Sequence, residues 1–154
     1  GKVGQIKSAI KTDTQSFTTA LTFADITDLS IAITPSTTSS KFLVGFNVSC
    51  GANTNNQTTY LRAIRDTTPL TVADTAGNRT SGTNVISVNI NYDLLMASNT
   101  LLDEPSTTSE ITYKVQMTSS NTNPAYVNRT GRDFDSAEYD GRAISTMYVM
   151  EILP

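Results

Sequence analysis

The chain has 154 residues, a formal net charge of −3, one cysteine and no histidine. This composition excludes an intrachain disulfide and a metal site built from His and Cys ligands, and the lack of a basic patch argues against nucleic-acid binding through phosphate neutralisation. No stretch approaches the roughly 18 apolar residues of a membrane-spanning helix, so we expect no membrane insertion, and the length suits one domain over residues 1–154.

Apolar and polar residues alternate with a period of two along much of the chain, which is the pattern of strands with one buried face. Thr, Ser, Asn, Gly and Pro mark turns between these runs, and no run has a clear helical period. In chain order, the predicted strands are residues 5–11 (an edge strand), 17–23, 29–33, 42–50, 60–66, 70–72, 85–92, 111–117, 125–127 and 143–152, with a turn at 25–28; residues 93–99 form either a strand or a short helical turn.

The pentapeptide Pro-Ser-Thr-Thr-Ser occurs twice, at residues 35–39 and 105–109. Each copy comes just before an alternating run, at residues 42–50 and 111–117. Proline and hydroxyl residues favour turns, so both copies are predicted to be polar turns that lead into core strands. The single cysteine, Cys50, has the apolar parity of its strand and is predicted to be a small buried side chain.

The last predicted strand, residues 143–152, has apolar residues on both parities. This pattern suits a central strand, or a strand that another subunit covers. Many short strands separated by turn signals favour an antiparallel β-sandwich, jelly-roll-like, with about 8–10 strands in an all-β fold.

Groups that commonly carry catalysis are missing from the sequence. Nucleophilic catalysis by Ser or Cys normally needs a base, most often His, and the chain has neither a His nor a Gly-x-Ser-x-Gly motif. It also lacks a Gly-rich phosphate-binding loop. We therefore expect a protein that is not an enzyme and that uses no cofactor.

Acidic residues cluster between Arg132 and Arg142, where four carboxylates fall within eight positions. Arginines in and beside this segment favour a salt-bridged surface loop. A calcium site with oxygen ligands and a glycosidase pair of carboxylates are the alternatives, although the spacing does not match an EF-hand.

Three loops are the candidate recognition surfaces, at residues 51–57, 73–83 and 130–141. Aromatic rings that stack on sugar faces, together with amides that bind hydroxyl groups, are the usual means of binding carbohydrate. Rings at these positions also suit the rim of the core. The candidate residues are Asn55, Asn56, Asn78, Arg79, Tyr126, Phe134 and Tyr139.

The order of the strand and turn segments resembles a known family. The segments, in order, are Leu-Ser-Ile-Ala-Ile-Thr-Pro-Ser-Thr-Thr-Ser-Ser-Lys-Phe-Leu-Val (29–44), Leu-Arg-Ala-Ile-Arg-Asp (61–66), Asp-Thr-Ala-Gly-Asn-Arg (74–79), Leu-Asp-Glu-Pro-Ser-Thr-Thr-Ser (102–109), Thr-Tyr-Lys-Val-Gln (112–116), Asn-Arg-Thr-Gly (128–131) and Ser-Thr-Met-Tyr-Val-Met-Glu-Ile (145–152). Over nearly the whole chain they resemble the small β domain at the ends of virion fibre, appendage and capsid-decoration proteins of tailed phages, especially marine and cyanobacterial ones.

This resemblance implies a non-enzymatic structural domain on the surface of a virion. It also implies a homotrimer that contacts other virion proteins and takes part in host adhesion, with a host surface glycan as a possible ligand, or in particle decoration. The alternative is a secreted carbohydrate-binding, lectin-like module, which rests on the loop aromatics.

Overall fold

A computed structural model describes all residues from Gly1 to Pro154, and the chain forms eleven strands. The strands belong to two antiparallel sheets that face each other, as predicted for an all-β sandwich. No helix is long and apolar enough to cross a membrane. The strands are β1 (Lys2–Lys11), β2 (Gln15–Phe17), β3 (Ala24–Ile33), β4 (Lys41–Ala52), β5 (Gln57–Arg65), β6 (Thr68–Pro69), β7 (Asn84–Val88), β8 (Leu95–Asp103), β9 (Ile111–Ser119), β10 (Ala125–Val127) and β11 (Ser145–Leu153).

The first sheet is built around β4. One edge of β4 pairs with β8, while its other edge pairs first with β11 and then, from Cys50 to Ala52, with β10. β1 lies outside β11 at the edge of the sheet, and β2 lies outside β10. The predicted edge strand and the predicted central position of the last strand are therefore both confirmed.

The second sheet is arranged around β5 and β9. β9 pairs with β3 on one side and with β5 on the other, and the free edge of β5 is shared by β7 and the short β6. Each sheet thus has a long strand with one edge divided between two shorter strands.

One hydrophobic cluster fills the space between the sheets. The inward parity of β4 is fully apolar from Phe42 to Cys50, and the inward parity of β9 faces it from the other sheet. Phe42 and Tyr113 meet across the core with ring centres 5.7 Å apart. Cys50 is buried as predicted, and its burial raises the pKa of the thiol to about 12.

The two Pro-Ser-Thr-Thr-Ser segments cross between the sheets. The first joins β3 to β4 and the second joins β8 to β9, and β4 pairs with β8 just as β3 pairs with β9. In each copy the amide of the last Ser donates to the hydroxyl of the first Thr, at 3.2 Å for Ser39 and 3.0 Å for Ser109. Both copies are therefore structural turns, and the Lys41–Glu104 ion pair beside them places them at the same end of the sandwich.

The predicted strand over residues 17–23 is wrong beyond Phe17. β2 ends there because β10, its pairing partner, is only three residues long. Leu21 has a left-handed backbone, with φ at 53°, and is exposed, while the Phe23 ring lies under the guanidinium of Arg62. The apolar residues beyond Phe17 therefore pack on the outside of the second sheet and do not form a strand with an inward face.

The predicted turn at residues 25–28 is a bulge inside β3. The pairing with β9 slips between Asp25 and Ser30, and Asp28 has φ at 68°. Local turn chemistry is thus accommodated within a strand, because the residues on both sides continue the same ladder.

Several other boundaries differ from the predictions. The chain turns at Asp66, so β6 is at Thr68–Pro69 and residues 70–72 form no strand. β7 ends at Val88 because its partner β5 begins at Gln57. The ambiguous segment after residue 93 belongs to a strand, β8, which β4 pairs along its whole length.

Buried polar side chains connect the two sheets. Glu151 on β11 has no exposed surface, and it accepts hydrogen bonds from the Ser36 amide at 2.6 Å, the Ser36 hydroxyl at 2.9 Å and the Gln5 amide group at 2.8 Å. Burial alone would raise the pKa of Glu151, but hydrogen bonds from Ser40, Ser36 and Gln5 outweigh it and lower the pKa below its ordinary value. Glu151 thereby fastens the first turn, which comes from β3 of the second sheet, to β11 of the first sheet.

A second connection involves Asp103 on β8. Arg65 donates to both of its carboxylate oxygens, at 2.7 and 2.6 Å, and the hydroxyl of Tyr113 donates at 2.7 Å. Burial, together with the neighbouring Asp103 carboxylate, raises the pKa of Tyr113, so the phenol stays protonated and acts as a donor. These groups come from both sheets, and the network secures the second turn as Glu151 secures the first.

Substitution of Val44 or Val115 by Asp is expected to abolish folding. Both side chains have no exposed surface, and an unpaired buried carboxylate costs several kcal/mol, comparable with the roughly 5–15 kcal/mol stability of a typical domain. Thr37→Ala removes two turn hydrogen bonds of the Thr37 hydroxyl, one with the Ser39 amide and one with the Ser40 hydroxyl, and should be mild, costing about 1–2 kcal/mol. Circular dichroism and urea unfolding would measure both effects, and a folded Val44→Asp protein would contradict the strand assignment.

Glu151→Gln is expected to destabilise the protein by about 1–3 kcal/mol at neutral pH, because charged acceptors make stronger hydrogen bonds than neutral ones. The folded-state pKa is lowered from 4.5, so the carboxylate stabilises the fold above that value and loses this effect as the pH falls through the lowered pKa. The stability gap between wild type and variant should therefore narrow in acid. Glu104→Gln, on the exposed Lys41 pair, is the matched control and should show little change at any pH.

Candidate functional site

The segment at residues 130–142, here called the end loop, follows β10 and leads to β11. Its base is held by Asn128, whose amide donates to the carbonyls of Lys11 at 3.0 Å and Asp13 at 2.9 Å. The hydroxyl of Ser145 donates to the Asn128 carbonyl at 2.7 Å. Because these partners belong to the first sheet and its connections, the loop starts from a fixed base.

Asp140 organises the interior of the end loop. It accepts hydrogen bonds from the Arg132 guanidinium at 2.7 Å, the Phe134 amide at 2.9 Å and the Thr130 hydroxyl at 3.0 Å. The hydrogen bond from Arg132 is the main cause that lowers the pKa of Asp140. A lowered pKa is the reverse of what a catalytic acid requires, so Asp140 acts as an ionised structural acceptor.

Asp133 is also neutralised within the loop. It pairs with Arg129 at 3.1 Å and with Arg142. The salt-bridged reading of this acidic segment is thus confirmed for Asp133 and Asp140, while Asp135 and Glu138 remain exposed on the outside.

The acidic cluster does not gather into a metal site. No group of three or more His, Cys, Asp or Glu side chains lies close enough to hold a metal ion. The calcium and glycosidase alternatives both needed free carboxylates that converge, and arginines already pair with two of the four, Asp133 and Asp140.

Three exposed aromatic rings surround this loop. Phe134 is 61% exposed, Tyr139 is 55% exposed and Tyr92 is 52% exposed. The guanidinium of Arg132 lies 4.8 Å from the ring centre of Tyr92 and 5.6 Å from that of Tyr139. The cation fixes both rings by cation–π contact while leaving part of each ring open to solvent.

The end loop encloses a concave space of about 670 Å³, which residues 133–142 line. Its walls combine the Phe134 and Tyr139 rings with carboxylates, a hydroxyl and the backbone. A surface of this type can stack on an apolar ring face and accept hydrogen bonds from hydroxyl groups.

The predicted residues Asn55 and Asn56 lie beside this surface. The side-chain oxygen of Asn55 accepts from the Asn91 amide at 3.2 Å, and the Asn91 carbonyl accepts from the Arg132 amide at 2.8 Å. Asn56 has φ at 57°, and its amide donates to Asn89. The loop at residues 51–57 and the end loop therefore meet through the segment after β7.

Tyr126 does not take part in this surface. It is only 8% exposed, and the guanidinium of Arg129 covers its ring at 3.9 Å. Its predicted contribution to recognition is not supported, because the face needed for stacking is already occupied. Its burial agrees with the other sequence reading, which placed it at the rim of the core.

Asn78 and Arg79 lie elsewhere, on the outer side of the second sheet. They line a separate space of about 440 Å³ together with Leu21, Tyr60 and Val85. Of the seven predicted residues, Asn55, Asn56, Phe134 and Tyr139 thus lie at or beside the end loop, Asn78 and Arg79 lie on the second sheet, and Tyr126 is buried. Tyr92 and Arg132 were missed, since the predicted strand over residues 85–92 included Tyr92 and Arg132 was read only as a neutralising charge.

Comparison with models of protein families finds no match for this chain. A search of curated proteins also finds no significant match.

Asp140→Asn is expected to loosen the end loop, because it removes the charge that holds Arg132 and weakens the bond to the Phe134 amide. Hydrogen–deuterium exchange of the loop amides should accelerate roughly tenfold, while β4 amides stay protected. The folded-state pKa of Asp140 is lowered, so wild-type protection should persist through the ordinary carboxyl range and fall only at lower pH.

Asp135→Asn is the matched control, because this exposed carboxylate has no partner within the loop. Equal exchange rates in wild type and Asp140→Asn would contradict the organising role of Asp140.

Proposed function

We propose that this chain is a non-enzymatic structural domain of a tailed-phage virion, presented on a fibre, on a tail appendage or on the capsid surface. The order of its strand and turn segments supports this proposal, as does a β-sandwich of the kind that the resemblance implies. The proposal includes jelly-roll-like connectivity, assembly as a homotrimer and contact with other virion proteins.

The observation that carries an adhesive role is the pair of exposed rings Phe134 and Tyr139 on a loop whose charges are internally paired. Exposed aromatic side chains on a fixed base lose little conformational entropy when they bind. The neighbouring polar groups suit hydroxyl-rich ligands, so a host surface glycan is the ligand class that we propose.

The polar residues most suggestive of catalysis have structural roles that favour a non-enzymatic protein. Asp103, Asp140 and Glu151 each accept several hydrogen bonds from within the chain. The Cys50 thiol is buried and its pKa is raised, which disfavours the reactive thiolate.

A secreted carbohydrate-binding module is the second candidate, and the same exposed rings favour it. The two functions differ in assembly and in location. A virion domain is part of the particle, whereas a secreted module binds sugar as a free monomer.

Tyr139→Ala and Phe134→Ala are each expected to weaken glycan binding about tenfold, since each removes one stacking ring worth on the order of 1 kcal/mol. A glycan array would first identify a ligand, and calorimetry or surface plasmon resonance would then compare the variants. Thr37→Ala is the control, because Thr37 is exposed in the first Pro-Ser-Thr-Thr-Ser turn and lies outside the loops proposed for recognition. Unchanged affinity in both ring variants would contradict the adhesive surface.

Imaging of intact particles tests the location directly. Density for this domain at the tail or fibre tip supports host recognition, and density on the capsid supports decoration. Particles that lack the chain altogether would overturn the virion assignment.

A further inference from the structure

The outer face of the first sheet carries a continuous apolar row. Ile6 lies opposite Met150, Met150 opposite Leu43, and Leu43 opposite Leu102. The row therefore crosses β1, β11, β4 and β8, a span of about 14 Å at the usual strand spacing. Ile6 is 62% exposed and Leu102 is 51% exposed, so both ends of the row are open to solvent.

A bulge in β1 widens this apolar surface. Val3 and Ile6 are three residues apart, but they pair with Ile152 and Met150, which are only two residues apart. The additional residue turns both Val3 and Ile6 toward the outer face. In a regular strand, one of the two would point toward the core.

The centre of this face is flat. The Tyr148 ring lies across Gly45, where a Cβ atom would overlap it, and its hydroxyl is 3.0 Å from that of Thr100. A glycine here lets a large ring lie against the sheet, and the ring then continues the surface between the apolar row and the polar residues next to it.

No acidic or basic side chain points outward between residues 43–47 of β4, 96–102 of β8, 6–10 of β1 and 146–152 of β11. Five of the eleven large apolar side chains that the chain exposes lie on this one face: Val3, Ile6, Ile10, Met96 and Leu102. Clustered apolar side chains without charges are typical of the core of a protein interface.

The outer face of the second sheet has the opposite character. Lys114 pairs with Asp25 at 2.8 Å, Gln116 donates to the same carboxylate at 2.7 Å, and Arg62 covers Phe23. At the unpaired edge of β3, the Lys7 side chain occupies the Ala32 carbonyl by donating a hydrogen bond to it at 2.7 Å. Charges are thus spread over the outer face of the second sheet, whereas on the outer face of the first sheet the Lys41–Glu104 ion pair lies at one end of the apolar row.

We propose that copies of this chain associate through the outer face of the first sheet, the surface centred on the row Ile6–Met150–Leu43–Leu102. A standard interface buries roughly 800 Å² per partner, and this face presents five of the exposed large apolar side chains together with the half-buried Leu43, Tyr148, Met150 and Ile152. Its only bordering charges, Lys41 and Glu104, are paired with each other, so the row is complemented by another apolar face of low charge, and the chain itself supplies one on every copy. A three-fold arrangement, which rests on the proposed virion function, places the β1 side of the row against one neighbour and the β8 side against the other.

Leu102→Asp and Ile6→Asp test this surface, and Val85→Asp is the matched control because Val85 is 52% exposed on the other sheet. Sedimentation equilibrium of the full chain would measure association, and circular dichroism would confirm folding. We expect the wild type and Val85→Asp to form the same oligomer, and both surface variants to associate at least a hundredfold more weakly. If an Asp variant does not fold, the milder double variant Ile6→Ser with Leu102→Ser replaces it.

A wild type that is monomeric at every concentration overturns the proposal, and so does an oligomer that Leu102→Asp and Ile6→Asp leave intact. The second result would leave the virion assignment in place and move the interface elsewhere. Particle imaging tests the virion assignment separately, because it detects the chain on the particle whichever surface it uses.

Discussion

The structure depends on the burial of alternate side chains of β4 against the opposite sheet. β4 is the longest strand, and its inward residues from Phe42 to Cys50 are all buried. Both of its edges are paired along most of their length, by β8 on one side and by β11 and β10 on the other. The hydrophobic effect thus fixes the register of three other strands through one strand, since a slip of one residue would turn its apolar side chains to solvent.

Polar groups near the core serve the same arrangement. Glu151 and Asp103 each accept several hydrogen bonds, and each lies beside a turn that crosses between the sheets. The two copies of Pro-Ser-Thr-Thr-Ser share one internal hydrogen bond but are secured by different networks. Identical local sequence therefore makes the turn, while distant residues decide how each turn is fastened.

Two exposed regions outside the core and these networks differ in chemistry. The end loop combines aromatic rings with internally paired charges, whereas the outer face of the first sheet is a row of apolar side chains with one ion pair, Lys41–Glu104, at its end. The first suits the proposed binding of hydroxyl-rich ligands, and the second suits the proposed packing of copies against one another. The regions are separate, so assembly through the sheet would leave the end loop free to bind.

The sequence by itself determined the all-β class, the core parity of residues 42–50 and 111–117, and the structural role of the repeated turns, because period-two alternation and turn chemistry are local properties. It could not determine where β2 ends, whether residues 93–99 form a strand, or that residues 25–28 form a bulge, because each depends on which partner strand is available. It also could not separate Tyr126, covered by Arg129, from Phe134 and Tyr139, since exposure depends on what packs above a ring. Only the tertiary structure placed Tyr92 beside Arg132 of the end loop and aligned Ile6, Met150, Leu43 and Leu102. Both arrangements depend on folding and strand pairing, which join residues that are far apart in the chain.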